Sequence, residues 1–195
     1  MSKAERTRQF IIETTSPLFN KKGYFGTSMQ EITELTGLTK GSIYGNFKNK
    51  DELAIEAFKY NLFLLSNEIL QKISGGNHAI DKLLTFTEFY RKNYIKLFER
   101  GGCAILNSGT DADDHHPQIK EEVKKSLLSW KSILEKIIDE GMKKNEIKTT
   151  DPAKFSSLFI ALVEGSVFLA KTIGSTTSME NNLDFLESEI HKLRI

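Results

Sequence analysis

The sequence predicts an all-α protein, and three observations carry that prediction. Only three prolines occur in 195 residues, and Pro117 and Pro152 stand where helices begin. Apolar residues recur at i, i+3 and i+4 over long stretches. Residues that start and stop helices bracket those stretches.

Composition narrows the class. Hydrophobic residues make up 39% and charged residues 27%, the balance of an ordinary globular chain with room for a full core. The first ten residues are charged and lack an apolar h-region, so no secretory signal is expected there. No run reaches the roughly 18 uninterrupted apolar residues of a membrane span. The single cysteine, Cys103, cannot form an internal disulfide, which fits a reducing cytoplasm. Residues 1–50 hold eight Lys or Arg against four Glu, net +4, so the remainder is −3 given the total of +1. A basic head on an acidic body is expected where only the head meets phosphate, though a solvated basic surface looks the same.

The head divides into three short helices. Thr7 is read as the first N-cap, with Phe10, Ile11, Thr14, Leu18 and Phe19 on one face and Pro17 removing one internal hydrogen bond. Gly23 ends that helix. Ser28-Met29-Gln30-Glu31 is a capping box opening the second, with Ile32 and Leu35 inward and Gly37 stopping it after about two turns. Thr39 caps the third, over residues 40–47, with Ile43 and Phe47 inward. Two short helices about a glycine turn, the second led by basic and small polar residues, describe a helix-turn-helix. A slim helix fits the major groove, and short side chains at its start let the backbone approach the bases. A purely structural helical hairpin has the same spacing, so the pattern leaves both open.

The residues Thr7-Arg8, Leu18-Phe19, Gly23-Tyr24, Thr27-Ser28, Ile32, Gly37-Leu38-Thr39-Lys40-Gly41-Ser42-Ile43-Tyr44 and Phe47-Lys48-Asn49-Lys50-Asp51-Glu52-Leu53 carry a family resemblance that favours DNA binding. Over about residues 7–58, without a gap, they resemble the N-terminal domain of the TetR/AcrR family, most specifically in Tyr44-x-x-Phe47-x-x-Lys50. The resemblance implies that Thr27, Tyr44 and Lys50, joined by Lys48, contact phosphates, which set register. It places Gln30, Thr39, Lys40, Gly41, Ser42 and Asn46 on the DNA side, with Lys40 suited to guanine and Asn46 to adenine. Lys3 and Arg6, ahead of the first helix, are expected to track phosphate or the minor groove, or else to fray. Gly45 departs from the family's larger residue and weakens the third helix by about 1 kcal/mol relative to Ala. Thr33 and Thr36 stand where alanine is commoner.

Residues 51–195 form the second predicted domain, after a DNA-binding domain of residues 1–50. Long helices are expected from Asp51 to about 74, where Ser74-Gly75-Gly76-Asn77 stops the first, and from 78 to about 100. Gly101-Gly102-Cys103 and a polar run over 108–116 follow. Further helices run from Pro117 to about 145, from 153 to about 173 behind an Asp151-Pro152 cap, and from 180 to 193. The second of these helices is rich in rings, which are core residues or the lining of an apolar cavity. Phe86, Phe89, Tyr90, Tyr94, Cys103, Asn107, Trp130 and Phe168 are the candidate ligand-binding residues. The Gly102-Cys103 junction, the helix bearing Trp130 and the Asp151-Pro152 start resemble one subgroup of the family's C-terminal domains. That subgroup includes a repressor that responds to electrophiles through a cysteine in a similar setting; the alternative is a small buried residue at a helix contact. Asp111, Asp113, Asp114, His115 and His116 match no tight ligand spacing and read as an acidic polar loop, so no metal and no cofactor is expected.

Small residues Ala161, Gly165, Ser166 and Ala170, flanked by Leu158, Leu162, Val163 and Leu169, form a stripe that admits a close helix. The resemblance places a homodimer interface there, through the last two helices; a buried intrachain contact is the other reading, and Glu164 stands beside it. Together these expectations describe a ligand-responsive regulator, a repressor, that binds a pseudopalindromic operator as a dimer and is released by a small apolar, aromatic or electrophilic effector. The alternative is a chromosome-organising or partner-recruiting DNA-binding protein without an effector. No nucleophile elbow, phosphate loop or carboxylate pair points to an enzyme.

Overall fold

A computed structural model describes residues 1–76, 78–112 and 114–195. Nine helices occur among them: α1 Lys3–Lys22, α2 Met29–Thr36, α3 Lys40–Tyr44, α4 Lys50–Ser74, α5 Ala79–Glu99, α6 Ala104–Ala112, α7 Pro117–Lys143, α8 Pro152–Ile173 and α9 Thr177–Lys192. The only strand-like pairing among the described residues is an isolated antiparallel bridge between Ile147 and Arg194. The all-α prediction therefore holds. Asn77, expected in the turn before α5, lies outside the described residues.

The chain forms two compact units, Met1–Leu65 with Cys103–Lys125, and Ser66–Gly102 with Ser126–Ile195. The predicted boundary at residue 50 marks the end of the three-helix module only. The unit that holds this module also takes the first part of α4, all of α6 and the start of α7.

In the first unit, α1 starts earlier than expected. Ser2 is its N-cap, in a capping box with Glu5, so Lys3 and Arg6 are helical rather than a leading arm. Thr7 is not the cap; its hydroxyl donates to the Lys3 carbonyl inside the helix. The buried face is Ile11, Ile12, Thr15, Ser16, Phe19 and Asn20, leaving Phe10 exposed. The phase differs because Thr15 and Ser16 can go inside, each hydroxyl satisfied by a carbonyl of the same helix. Ser16 donates to Glu13 O, the carbonyl that Pro17 leaves without its amide. The capping box at Ser28 and the stop at Gly37 are present. Leu35, expected inside, is exposed, and Thr36 takes the inward place with its hydroxyl on Ile32 O. Helix α3 ends at Tyr44 rather than at 47, although Ile43 and Phe47 are both buried.

Part of the predicted polar run is helical. Residues 108–112 complete α6, which had no counterpart in the sequence reading. Of the proposed acidic loop, Asp113 lies outside the described residues.

In the second unit α8 packs on α9, and both pack on α5. Phe159, Val163, Leu183, Leu186 and Ile190 are buried, with Phe86 of α5 set edge-on to Phe159 at 5.6 Å. Arg91 of α5 donates to Asp184 and Glu187 of α9 at 2.7 and 3.1 Å. Asp151 caps α8 through the amides of Ala153 and Lys154, as predicted, whereas α9 begins at Thr177, before the expected Glu180. Helix α8 is long and apolar enough to cross a membrane by length and composition. Its inward face packs on α5 and α9, as a core helix does.

At the end of α7 the backbone approaches α5 closely. A Cβ on Gly141 would stand 2.5 Å from Ala79 Cβ and 2.8 Å from Ile147 Cδ1. Glu146, just beyond, accepts the first amide of α5, Ala79 N–H, at 2.7 Å. In an open helix Gly→Ala gains about 1 kcal/mol. Here overpacking, about 1–3 kcal/mol, outweighs that gain. Gly141→Ala is therefore expected to lower the urea midpoint of the full chain, and a raised midpoint would contradict the close approach.

Candidate nucleic-acid interface

The exposed surface of the head is built on two caps, Ser28 of α2 and Thr39 of α3. Thr39 Oγ1 accepts the Ser42 amide and starts α3, while Ile43 and Phe47 anchor it from beneath. With those two inward, Lys40, Gly41 and Tyr44 are exposed and Ser42 is half-buried. A Cβ at Gly41 would meet only Thr39 Oγ1, at 3.9 Å, so the front of this helix is open to a close partner. Gln30 is exposed on the first turn of α2, its amide donating to Glu34. Behind it the Glu31 carboxylate is held down to about 2 by the Lys22 ammonium and by the amide and hydroxyl of Ser28. Lys48 is exposed beyond α3.

Three predicted contacts are placed differently. Thr27 is fully buried, its hydroxyl donating to Gly23 O at 2.7 Å, so it shapes the turn and does not reach the surface. Asn46 turns its amide back to Ser42 O at 2.9 Å, which occupies one of the two groups needed to pair with adenine. Lys50 is half-buried; its ammonium donates to Tyr24 O at 2.5 Å and lies 4.1 Å from the Tyr24 ring centroid. Burial pushes the Lys50 pKa down, against the opposing charges of Asp51, Asp111 and Glu31.

Tyr24 is the centre of a cluster that sequence reasoning missed. Its hydroxyl donates to Asp51, and burial together with that carboxylate raises the phenol to about 12. The same bond holds the Asp51 carboxyl below its usual range. His116 sets its ring edge-on to Tyr24 at 4.4 Å and places Nε2 3.5 Å from Asp51 Oδ1. Its Nδ1 accepts the Ile119 amide and so caps α7. The Tyr24 amide donates to Asp111 at 2.6 Å. Gly23 is required here, since its φ is +73° and a Cβ would lie 2.5 Å from the Asp111 carboxylate. Asp111 and His116 are therefore structural groups of this unit, not members of a solvated acidic loop. Small polar residues and a tyrosine near a glycine turn gave no sign of partners some 87 positions away.

Helix α6 carries this contact on one face. Asn107 and Asp111 are four residues apart and so lie one above the other. Asn107 donates to Asn20 O and Oδ1 at 3.0 and 3.1 Å, Asp111 accepts from Tyr24, and both partners lie at the end of α1 or just beyond. Cys103, 1% exposed, precedes α6, and its carbonyl accepts the Asn107 amide. Beneath the contact is a cavity of about 20 Å³, lined by Asn20, Tyr24, Asn61, Ser108 and Asp111 among others, with room for about one water.

The candidate ligand-binding residues fall in both units. Cys103 and Asn107 belong to the first, the others to the second. Phe86, Phe89 and Tyr90 are buried, Tyr94 and Trp130 half-buried, and Phe168 is 54% exposed on the outer side of α8.

Known proteins agree with this architecture. Residues 11–57 match the family model described as bacterial regulatory proteins, tetR family, and residues 79–186 match the tetracyclin repressor-like C-terminal domain. A TetR-family transcriptional regulator from Cytophaga hutchinsonii superposes with a TM-score of 0.95 at 39% identity, covering 100% of this chain and 98% of its own. The HTH-type transcriptional regulator YhgD of Bacillus subtilis is 30% identical over 163 residues, 80% of this chain and 82% of its own. The negative transcriptional regulator IcaR of Staphylococcus epidermidis is 26% identical over 124 residues, 62% of this chain and 66% of its own. These proteins are regulators and not enzymes. The chain belongs to the TetR family of helix-turn-helix transcriptional regulators.

Proposed function

We propose that this protein is a one-component repressor that binds a pseudopalindromic operator as a homodimer and leaves it when a small effector binds. The observation that carries the proposal is the open front of α3. Lys40, Gly41 and Tyr44 are exposed there, on a helix held from beneath by two buried side chains. Repression is supported by the relative named as a negative regulator. A regulator of this kind works on DNA in the cytoplasm.

Lys40 is assigned to base edges, with Gln30 and Ser42 beside it, and Tyr44 and Lys48 to phosphates. Lys50 serves the interface indirectly, through its bond to Tyr24 O. The dimer is assigned to α8 and α9. Leu158, Ala161, Gly165 and Phe168 share one outward stripe of α8, with Leu162 and Leu169 half-buried beside it. Phe185 of α9 is exposed as well. The other half of the predicted stripe is spent inside the protomer, since Val163, Ser166 and Ala170 are buried. A two-fold axis through the outward stripe buries the same residues on both subunits.

Effector release needs a route from the larger part of the chain to the reading head. Helix α4 runs from the module into the second unit, and α6 grips the end of α1 through Asn107 and Asp111. An effector held among Phe86, Phe89, Tyr90, Tyr94 and Trp130, or an electrophile on Cys103 ahead of α6, shifts the population only by its differential affinity for the two states.

Two experiments test this reading. In a salt titration on duplex DNA, Lys48→Ala is expected to weaken all sequences alike and to lower the salt slope by about one, whereas Lys40→Ala changes sequence preference. A flat response to both would contradict the interface. A Cβ at Gly165 meets no atom within 4 Å in the protomer, so the fold is expected to tolerate Gly165→Arg, checked by its helical circular dichroism. In sedimentation equilibrium it is expected to convert dimer to monomer; a folded variant that stays dimeric would remove α8 from the interface.

A further inference from the structure

We propose that Arg8 is a positioning residue for DNA recognition, holding the end of α3 in its reading place without touching DNA itself. The inference rests on the DNA-binding reading above. Arg8 projects from α1 on the inward face that continues to Ile11, Ile12 and Thr15. Its guanidinium meets three groups from the other side of the module. Nη1 donates to Asn46 O, Nη2 donates to Glu52 Oε1 at 2.9 Å, and the carbon between them lies 4.2 Å from the Phe47 ring centroid.

Glu52 extends the grip. Its second carboxylate oxygen accepts the Lys48 amide at 2.8 Å, and its own amide donates to Asn49 Oδ1 at 2.9 Å. The Lys48 amide first, then Arg8 and the charge of nearby Lys48, hold the Glu52 carboxyl below its usual range. The carbonyl of residue 46, the ring of 47 and the amide of 48 are thus fixed by one ion pair, and the Glu52 backbone amide holds the Asn49 side chain beside them.

This segment needs such a hold. Helix α3 has five residues, too few to be stable alone, and Gly45 stands at its C-terminal end. The only deep anchors from its own sequence are Ile43 and Phe47. The fork geometry matters as well as the charge. A lysine ammonium cannot lie flat on the Phe47 ring while donating to a carbonyl and a carboxylate in two directions.

If the hold is lost, the reading conformation is populated only in part, and the apparent Kd rises by the inverse of that fraction. The test is fluorescence anisotropy with a labelled duplex selected from a randomised pool, across a salt series, on the full chain. Arg8→Lys and Glu52→Gln are each expected to weaken binding about tenfold with the salt slope unchanged. Glu52→Gln is the decisive arm, because removing a negative charge near DNA should tighten binding on electrostatic grounds alone. Wild-type affinity in Arg8→Lys, a slope reduced by about one, or tighter binding by Glu52→Gln would each overturn the proposal. A wild-type chain that binds no selected duplex would instead overturn the DNA-binding reading, and this inference with it.

Discussion

The first unit depends on how the turn after α1 is closed at Tyr24. Its polar groups are taken by two distant parts of the chain, α6 and the start of α4. The amide goes to Asp111 of α6, the carbonyl to Lys50 at the start of α4, and the hydroxyl to Asp51, which His116 also faces from the start of α7. Hydrogen bonds to charged groups contribute about 1.5–3 kcal/mol each, and three of these involve charged partners. The turn can take this form because Gly23 leaves the place of a Cβ free for the Asp111 carboxylate. One residue between two helices of the reading head therefore orders three further helices about it.

Much of the fold was legible because local signals and packing agree. The capping box at Ser28, the stop at Gly37, the Thr39 cap and the Asp151-Pro152 start all appear where the sequence places them. The differences arise where a small polar residue competes with an apolar one for the core. Thr15, Ser16 and Thr36 go inside because a helix carbonyl satisfies each hydroxyl, and Phe10 and Leu35 are left outside. Helix α6 was hidden for a related reason. Its second half, Ser108-Gly109-Thr110-Asp111, reads as loop by propensity, and long-range bonds from Asn107 and Asp111 hold it helical.

The reading surface was legible as a surface. Its supports were not. Lys40, Gly41 and Tyr44 follow from a short helix with Ile43 and Phe47 inward. Thr27 and Lys50 carry polar groups that suit phosphate, yet in the fold they serve Gly23 O and Tyr24 O. Arg8 could have been suspected, since a cation four residues before Ile12 lies on a buried stripe. What it would meet depends on α4 returning beside α3, which no local pattern states. The aromatic residues of α5 show the same limit, because periodicity marks a face as inward without saying whether it meets protein or ligand.

The proposed function is that of a symmetric reader of DNA, two chains on one operator. Footprinting of the full-length protein on genomic DNA tests that claim most directly. A protected pseudopalindrome is expected, with half-sites about one helical turn, or a multiple of it, apart and two or more chains bound per site. Protection of a single asymmetric half-site by one chain, or no discrete protection at all, would contradict it.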